Sequence, residues 1–162
     1  MYKNLYYLLI AVLIIVLHQL AQTVVYDMIE AHGGQLNVLP FFNLVEVWNS
    51  GISFGMFRNL AYGQWILSAV SVVITLVMLG WLWRAHSPWM ASALSLIIGG
   101  AIGNLIDRVR FGAVADYLDF HAFGYHWPSF NVTDMAICIG VFFLVADGLL
   151  KQTSIPAEAQ ND

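Results

Sequence analysis

The chain has 162 residues, 60% of them hydrophobic and 10% charged, with a mean hydropathy of +0.73, whereas an average soluble domain is about half apolar and a quarter charged. That balance excludes a water-soluble enzyme and points to one integral membrane domain, because four apolar runs of roughly the 17 to 25 residues needed to cross a bilayer use up most of the length. A formal charge of −4 without a basic run argues against a nucleic-acid partner, and a single cysteine, Cys138, excludes an intrachain disulfide or a cysteine-rich metal site.

Lys3 precedes an unbroken apolar run from Leu5 to Leu17, which continues through His18, Gln19 and Gln22 to Tyr26. A cleavable signal peptide also starts this way, but no small-x-small cleavage site follows, so the reading adopted is a retained first helix over 5–26. His18 and Gln22 are four apart and share a face, where hydrogen bonding to a neighbouring helix is the expected role.

From Asp27 to Arg58 the character changes. Gly33-Gly34 and Pro40 break helices, and Phe42 to Phe54 mixes β-branched, aromatic and polar residues around Asn49-Ser50-Gly51, which reads as short strands and a turn outside the membrane. Leu39, Phe41, Val45, Val47, Trp48 and Phe57 make the segment too apolar for a plain solvated loop. It either lies on the bilayer surface or clasps an apolar ligand, or it packs against its own helices.

A second helix over 62–83 carries one polar stripe, Gln64, Ser68, Ser71 and Thr75, suited to helix packing in lipid. Trp81, Trp83 and Trp89 flank the connection from Arg84 to Pro88, as aromatic residues do at a membrane interface. Pro88 suits the first turn of a third helix over 89–107, and Gly99-x-x-x-Gly103 lets another backbone come close. A fourth helix over 133–150 has Asn131 or Thr133 as its cap. Cys138 is expected to pack as a small hydrophobe, and the stretch 153–162, with Pro156 and acids, to be disordered. The fold class is thus an all-α membrane protein of four transmembrane helices, with a small extracytoplasmic β-rich clasp over 27–61 and an interfacial loop or helix over 108–132.

Four antiparallel helices put both termini and the Arg84 connection on one side. Lys3, Arg84 and Lys151 then oppose Arg58, Arg108 and Arg110, a tie by count. If function holds Arg108 and Arg110 outside, the balance favours cytoplasmic termini.

Most side chains able to do chemistry fall between Gly99 and Asp134, a window that holds four of the ten acids. Asn104 and Arg108 sit one turn apart near the end of the third helix, Asp116 follows a break at Gly112, and Asp134 opens the fourth helix. Antiparallel helices bring those ends together, so Asp116 and Asp134 can meet at one depth although 18 positions separate them. Two carboxylates in a poorly solvated site share a proton, one poised as acid and the other as base, which is what activating water on a peptide bond requires. The helix N-terminus favours the anionic form of Asp134. Spacing alone does not choose Asp116 over Asp119, and both aspartates also suit plain roles as caps or as ion partners of Arg108 and Arg110. Three other classes share this composition. A metal hydrolase would use His121 and His126 but lacks a His-Glu-x-x-His helix; a small transporter would carry ionisable groups at mid-bilayer; a non-enzymatic assembly factor would need neither aspartate.

Asn49-Ser-Gly-Ile-Ser-Phe54, Gly99-Gly-Ala-Ile-Gly-Asn-Leu-Ile-Asp-Arg108, Val114-Ala-Asp116 and Phe130-Asn-Val-Thr-Asp134 stand in an order and spacing that resembles the lipoprotein signal peptidases, the signal peptidase II family. The resemblance spans nearly the whole chain. It implies an aspartic peptidase of the bacterial inner membrane, without metal or cofactor, acting as a monomer. It would free prolipoproteins of their signal peptide just before a cysteine that already carries diacylglycerol. Asp116 and Asp134 fall on the family's catalytic pair; Asn104, Arg108 and Asn131 match polar positions beside it, and Asn49 and Gly51 match the outer clasp. Two departures stand out. His18-Gln19-Leu20-Ala21-Gln22 replaces an Asp-Gln-Leu-x-Lys-like signature of the first helix, removing both charges, and Thr133 stands where alanine is common.

Overall fold

A computed structural model describes residues 4–51 and 62–153. The expectations for Ile52 to Arg58 and for the tail beyond 153 lie outside them. A short 3₁₀ turn, Leu5–Tyr7, leads into α1, Leu8–Ala31; β1, Gln35–Leu39, and β2, Phe42–Asn49, follow; then come α2, Gly63–Trp83, α3, Pro88–Phe111, β3, Val114–Ala122, β4, Tyr125–His126, and α4, Val132–Thr153. All four α-helices are long and apolar enough to cross a bilayer.

The central helix is α3. Two thirds (67%) of its most apolar window is buried against protein, compared with 17 to 22% for the other three, and it packs on α1, α2 and α4. Lipid is as apolar as leucine, so association here rests on close backbone approach more than on hydrophobic burial. Gly99 and Gly103 serve different neighbours. A Cβ on Gly99 would lie 2.8 Å from the Ala11 Cα of α1, whereas one on Gly103 would run into the Thr133 methyl of α4. Serine and proline set the start of α3: Pro88 occupies the first turn and Ser87 Oγ accepts the Met90 N–H at 3.1 Å. Gly112, at φ +78°, ends it in the left-handed conformation that glycine adopts without strain.

The bundle is apolar at one end and polar at the other. Ala11, Leu82, Met90, Ala91, Leu94 and Ile98 form a buried cluster where α1 and α3 begin and α2 ends, and Asn4 Nδ2 closes that end by donating to the Leu82 and Ala85 carbonyls. His18, Gln22, Asn104, Asp107, Asn131 and Thr133 are buried toward the opposite end, beneath the sheet.

The sheet is four-stranded and antiparallel in the order β1-β2-β3-β4. The β1–β2 hairpin turns at Pro40 and Phe41, not at Asn49-Ser50-Gly51, since Asn49 still pairs with Val114. α1 reaches Ala31, five residues past the expected end, because the first residues able to break it are Gly33 and Gly34, both at positive φ. The segment expected as an interfacial loop or helix enters the sheet instead: β3 pairs with β2 and turns into β4 through Phe123 and Gly124, both at positive φ as a tight two-residue hairpin requires. Its Val-Ala-Asp-Tyr-Leu-Asp-Phe run lacks strict alternation because most of it is buried on both faces.

Candidate active site

Three elements deliver the site. The C-terminal turns of α3 supply Asn104 and Arg108, β3 supplies Asp116, and the first turn of α4 supplies Asp134. Together with Asn49 and Gly51 at the end of β2, they line one cavity of about 540 Å³. Its remaining wall is largely apolar: Val114, Trp127, Phe130, Met135 and Ile137 among others.

Asn131 ties the two carboxylates together. Its Nδ2 donates to Asp116 Oδ1 at 2.9 Å and its backbone N–H to Asp134 Oδ2 at 3.3 Å, while its own Oδ1 accepts the N–H groups of Thr133 (2.8 Å) and Asp134 (3.0 Å). The asparagine is therefore the helix cap and the link between the acids at once, and it has no exposed surface. Each aspartate has a further amide donor. Asn49 Nδ2 reaches Asp116 Oδ2 at 3.0 Å, and Asn104 Nδ2 reaches Asp134 Oδ1 at 2.9 Å. Thr133, the other candidate cap, instead directs its hydroxyl to the side-chain oxygens of Asn104 and Asn131.

Asp116 is only 2% exposed, and burial pushes its carboxyl up to about 7; the Asp134 carboxylate adds to the rise, while the amides of Asn49 and Asn131 and the Arg108 guanidinium oppose it. Near neutrality the Asp116 carboxyl is therefore partly protonated, where an ordinary aspartate has lost its proton. Arg108 forms no ion pair with Asp107 or Asp116 among the described residues; its Nη1 donates to the Asn104 carbonyl at 3.4 Å, and the guanidinium borders the cavity.

Sequence spacing left Asp116 and Asp119 equivalent; the strand separates them. Three residues apart on β3, they point to opposite sides. Asp119 accepts from His126 Nδ1 at 2.8 Å and from Asn43 Nδ2 at 3.0 Å and lines a different cavity, beside Gln35, Val45 and Val47. His121 stacks on His126 with ring centroids 4.9 Å apart, so neither histidine lines the cleft of Asp116. Cys138 is not packed away: it is exposed and faces the cleft, since it lies one turn beyond Asp134 on the same face of α4. Sequence reasoning also missed Trp127 to Phe130, whose aromatic and proline residues read as loop but form the cleft wall.

The departure at His18 is accommodated. His18 Nε2 lies 3.0 Å from Asp107 Oδ2, and Gln19 Nε2 donates to Asp107 Oδ1 at 3.0 Å. An interhelical polar contact persists without either charge of the usual first-helix signature.

The fold and cleft define a class: a four-span membrane protein with a hydrogen-bonded carboxylate pair at the sheet-bearing end of its bundle. Residues 10–150 match the family model described as signal peptidase (SPase) II. A lipoprotein signal peptidase of Syntrophotalea carbinolica is 43% identical over 152 residues, covering 90% of this chain and 94% of the relative. One of Anaplasma phagocytophilum is 36% identical over 157 residues, covering 97% and 100%. A solved bacterial membrane enzyme superposes with a TM-score of 0.76 at 30% identity, covering 92% of this chain and 90% of its own. The chain belongs to the signal peptidase II family of membrane peptidases.

Proposed function

We propose that this peptidase removes signal peptides from prolipoproteins, cutting before a diacylglyceryl-modified cysteine, with Asp116 and Asp134 as the catalytic pair. The observation that carries the reading is that one buried asparagine holds both carboxylates on one cleft, and that the cleft is apolar elsewhere, as an acyl-bearing substrate needs.

Asp134, at the α4 N-terminus, takes a proton from water as its oxygen attacks the scissile carbonyl; Asp116 gives its proton to the carbonyl oxygen. As the tetrahedral intermediate collapses, Asp134 passes its proton to the cysteine nitrogen and Asp116 recovers one from the gem-diol, so the pair ends as it began. Asn104 and Asn131 hold the acids in register. Arg108 offers N–H groups that are unpaired among the described residues to a carbonyl or ester oxygen of the substrate, and Asn49 and Gly51 close the outer edge of the cleft.

The sheet and the cleft share one end of the bundle, which supports placing them at the outer face of the cytoplasmic membrane with both termini inside. One chain supplies every named residue, which supports action as a monomer on substrate anchored in the surrounding lipid. Purified protein should cut a diacylated precursor and leave its non-lipidated counterpart intact, and Asp116→Asn or Asp134→Asn should insert normally yet leave the precursor whole. Near-normal cleavage by either variant removes the reading.

A further inference from the structure

We infer that His18 is a positioning residue for Asp116, acting across the bundle from α1 through Asp107; the inference rests on the peptidase reading above.

His18 and Asp107 both have no exposed surface. Three donors converge on the Asp107 carboxylate: Gln19 Nε2 on Oδ1 at 3.0 Å, and on Oδ2 both His18 Nε2, at 3.0 Å, and the backbone N–H of Ala115, at 3.2 Å. The last contact matters most, because Ala115 is the residue on which Asp116 stands. Its carbonyl is held as well, by Asn131 Nδ2 at 3.2 Å. Ala115, the residue before Asp116, is thus pinned on both sides, by Asp107 at its N–H and by the asparagine that links the two acids at its C=O.

Asp107 accepts at both oxygens, so it acts as a carboxylate, and a carboxylate without exposed surface is stable only when its donors are in place. His18 provides one of them. Its other nitrogen, Nδ1, is buried without a partner among the described residues, so Nε2 is the atom through which the ring meets its neighbours. The Tyr117 ring of β3 lies parallel to it, with centroids 6.4 Å apart. The titratable and charged groups around His18 are Asp107 on α3, Asp134 on α4 and Tyr117 on β3, with Arg110 reached through Gln19. Removing the His18 donor leaves Asp107 to find another, and the simplest adjustment is a shift of the carboxylate that slackens the Ala115 N–H and moves Asp116. A misplacement of about 1 Å costs up to about a hundredfold in rate. His18 does not border the cleft, so substrate affinity should stay as it is.

The experiment uses the full chain in micelles with a diacylated precursor, the wild type serving as control. His18→Gln keeps an N–H donor of similar reach and should retain kcat within about threefold. His18→Leu should lose roughly ten- to a hundredfold in kcat with KM unchanged, and the alkaline limb of its pH profile should move, since the surroundings of Asp116 change. Adding Asp107→Asn to His18→Leu should cost little more than either change alone. The inference fails if His18→Leu keeps the wild-type kcat and pH profile, if the double variant is fully additive, or if Leu and Gln lose activity equally. Should His18→Leu not fold, His18→Asn replaces it: its shorter amide falls short of Asp107, and activity equal to that of His18→Gln overturns the inference. A wild type inert toward the lipidated precursor refutes the peptidase reading instead.

Discussion

Replacing Asp116 by asparagine should abolish cleavage and also flatten the pH dependence of stability, and the second effect can be worked out from the structure. The carboxyl rises from the ordinary 3.8 to about 7 on folding, chiefly by burial and next by the Asp134 charge. A raised carboxyl binds its proton more tightly in the folded state. Its contribution to stability is therefore complete below pH 3.8 and is lost as pH climbs through about 7. At 1.36 kcal/mol per unit, the wild type should lose roughly 2 to 3 kcal/mol between pH 5 and 8 from this one group. Asparagine does not titrate. It carries its own penalty, about 1 to 3 kcal/mol, because its NH₂ must face the donor of Asn49 or of Asn131, but that penalty is the same at every pH. Thermal or chemical unfolding in micelles at pH 5, 6, 7 and 8 measures the slope for both proteins. A variant as pH-sensitive as the wild type would mean that Asp116 does not titrate in this window, and the assignment of the shared proton to it would be wrong.

Cleavage itself should decline as pH rises above about 7, because the pair then loses that proton; a rate still climbing at pH 9 contradicts the assignment. Gly99→Ala should cost about 1 to 3 kcal/mol of stability, since the new methyl would lie 2.8 Å from the Cα of Ala11 and neither backbone has room to yield; unchanged unfolding in micelles argues against that close approach. Asn104→Leu, which deprives Asp134 Oδ1 of its amide donor, should lower kcat by about ten- to a hundredfold while KM changes little. Strong chelation should leave the rate unaffected, because the proposed chemistry needs only proton transfer between carboxylates and water; lost activity restored by a divalent ion refutes it.

The four spans were legible because each is a long apolar run, and Pro88 marked the start of α3 in the sequence itself, although its end, read at 107, runs on to Phe111. That Asn104, Arg108 and Asp134 come together was legible too, once antiparallel helices were assumed to bring the start of α4 beside the end of α3; the Asn104–Asp134 hydrogen bond shows those ends adjacent. What the sequence hid was β3. A strand buried on both faces shows no alternation, so Val114–Ala122 did not announce itself, and without a strand nothing distinguished Asp116 from Asp119. Asp107 stayed hidden for another reason. Its partners, His18, Gln19 and the Ala115 N–H, come from a helix almost 90 residues earlier and from a backbone group that carries no sequence signature.

The unequal burial of the helices foretells where this protein can vary. Most of the outward surface of α1, α2 and α4 meets nothing in the protein, and there one aliphatic side chain serves as well as another, whereas α3 touches a neighbour on nearly every side. Saturation mutagenesis selected for growth should therefore draw three tolerant stripes around one intolerant axis, and that pattern would recover the helix order from survival data alone.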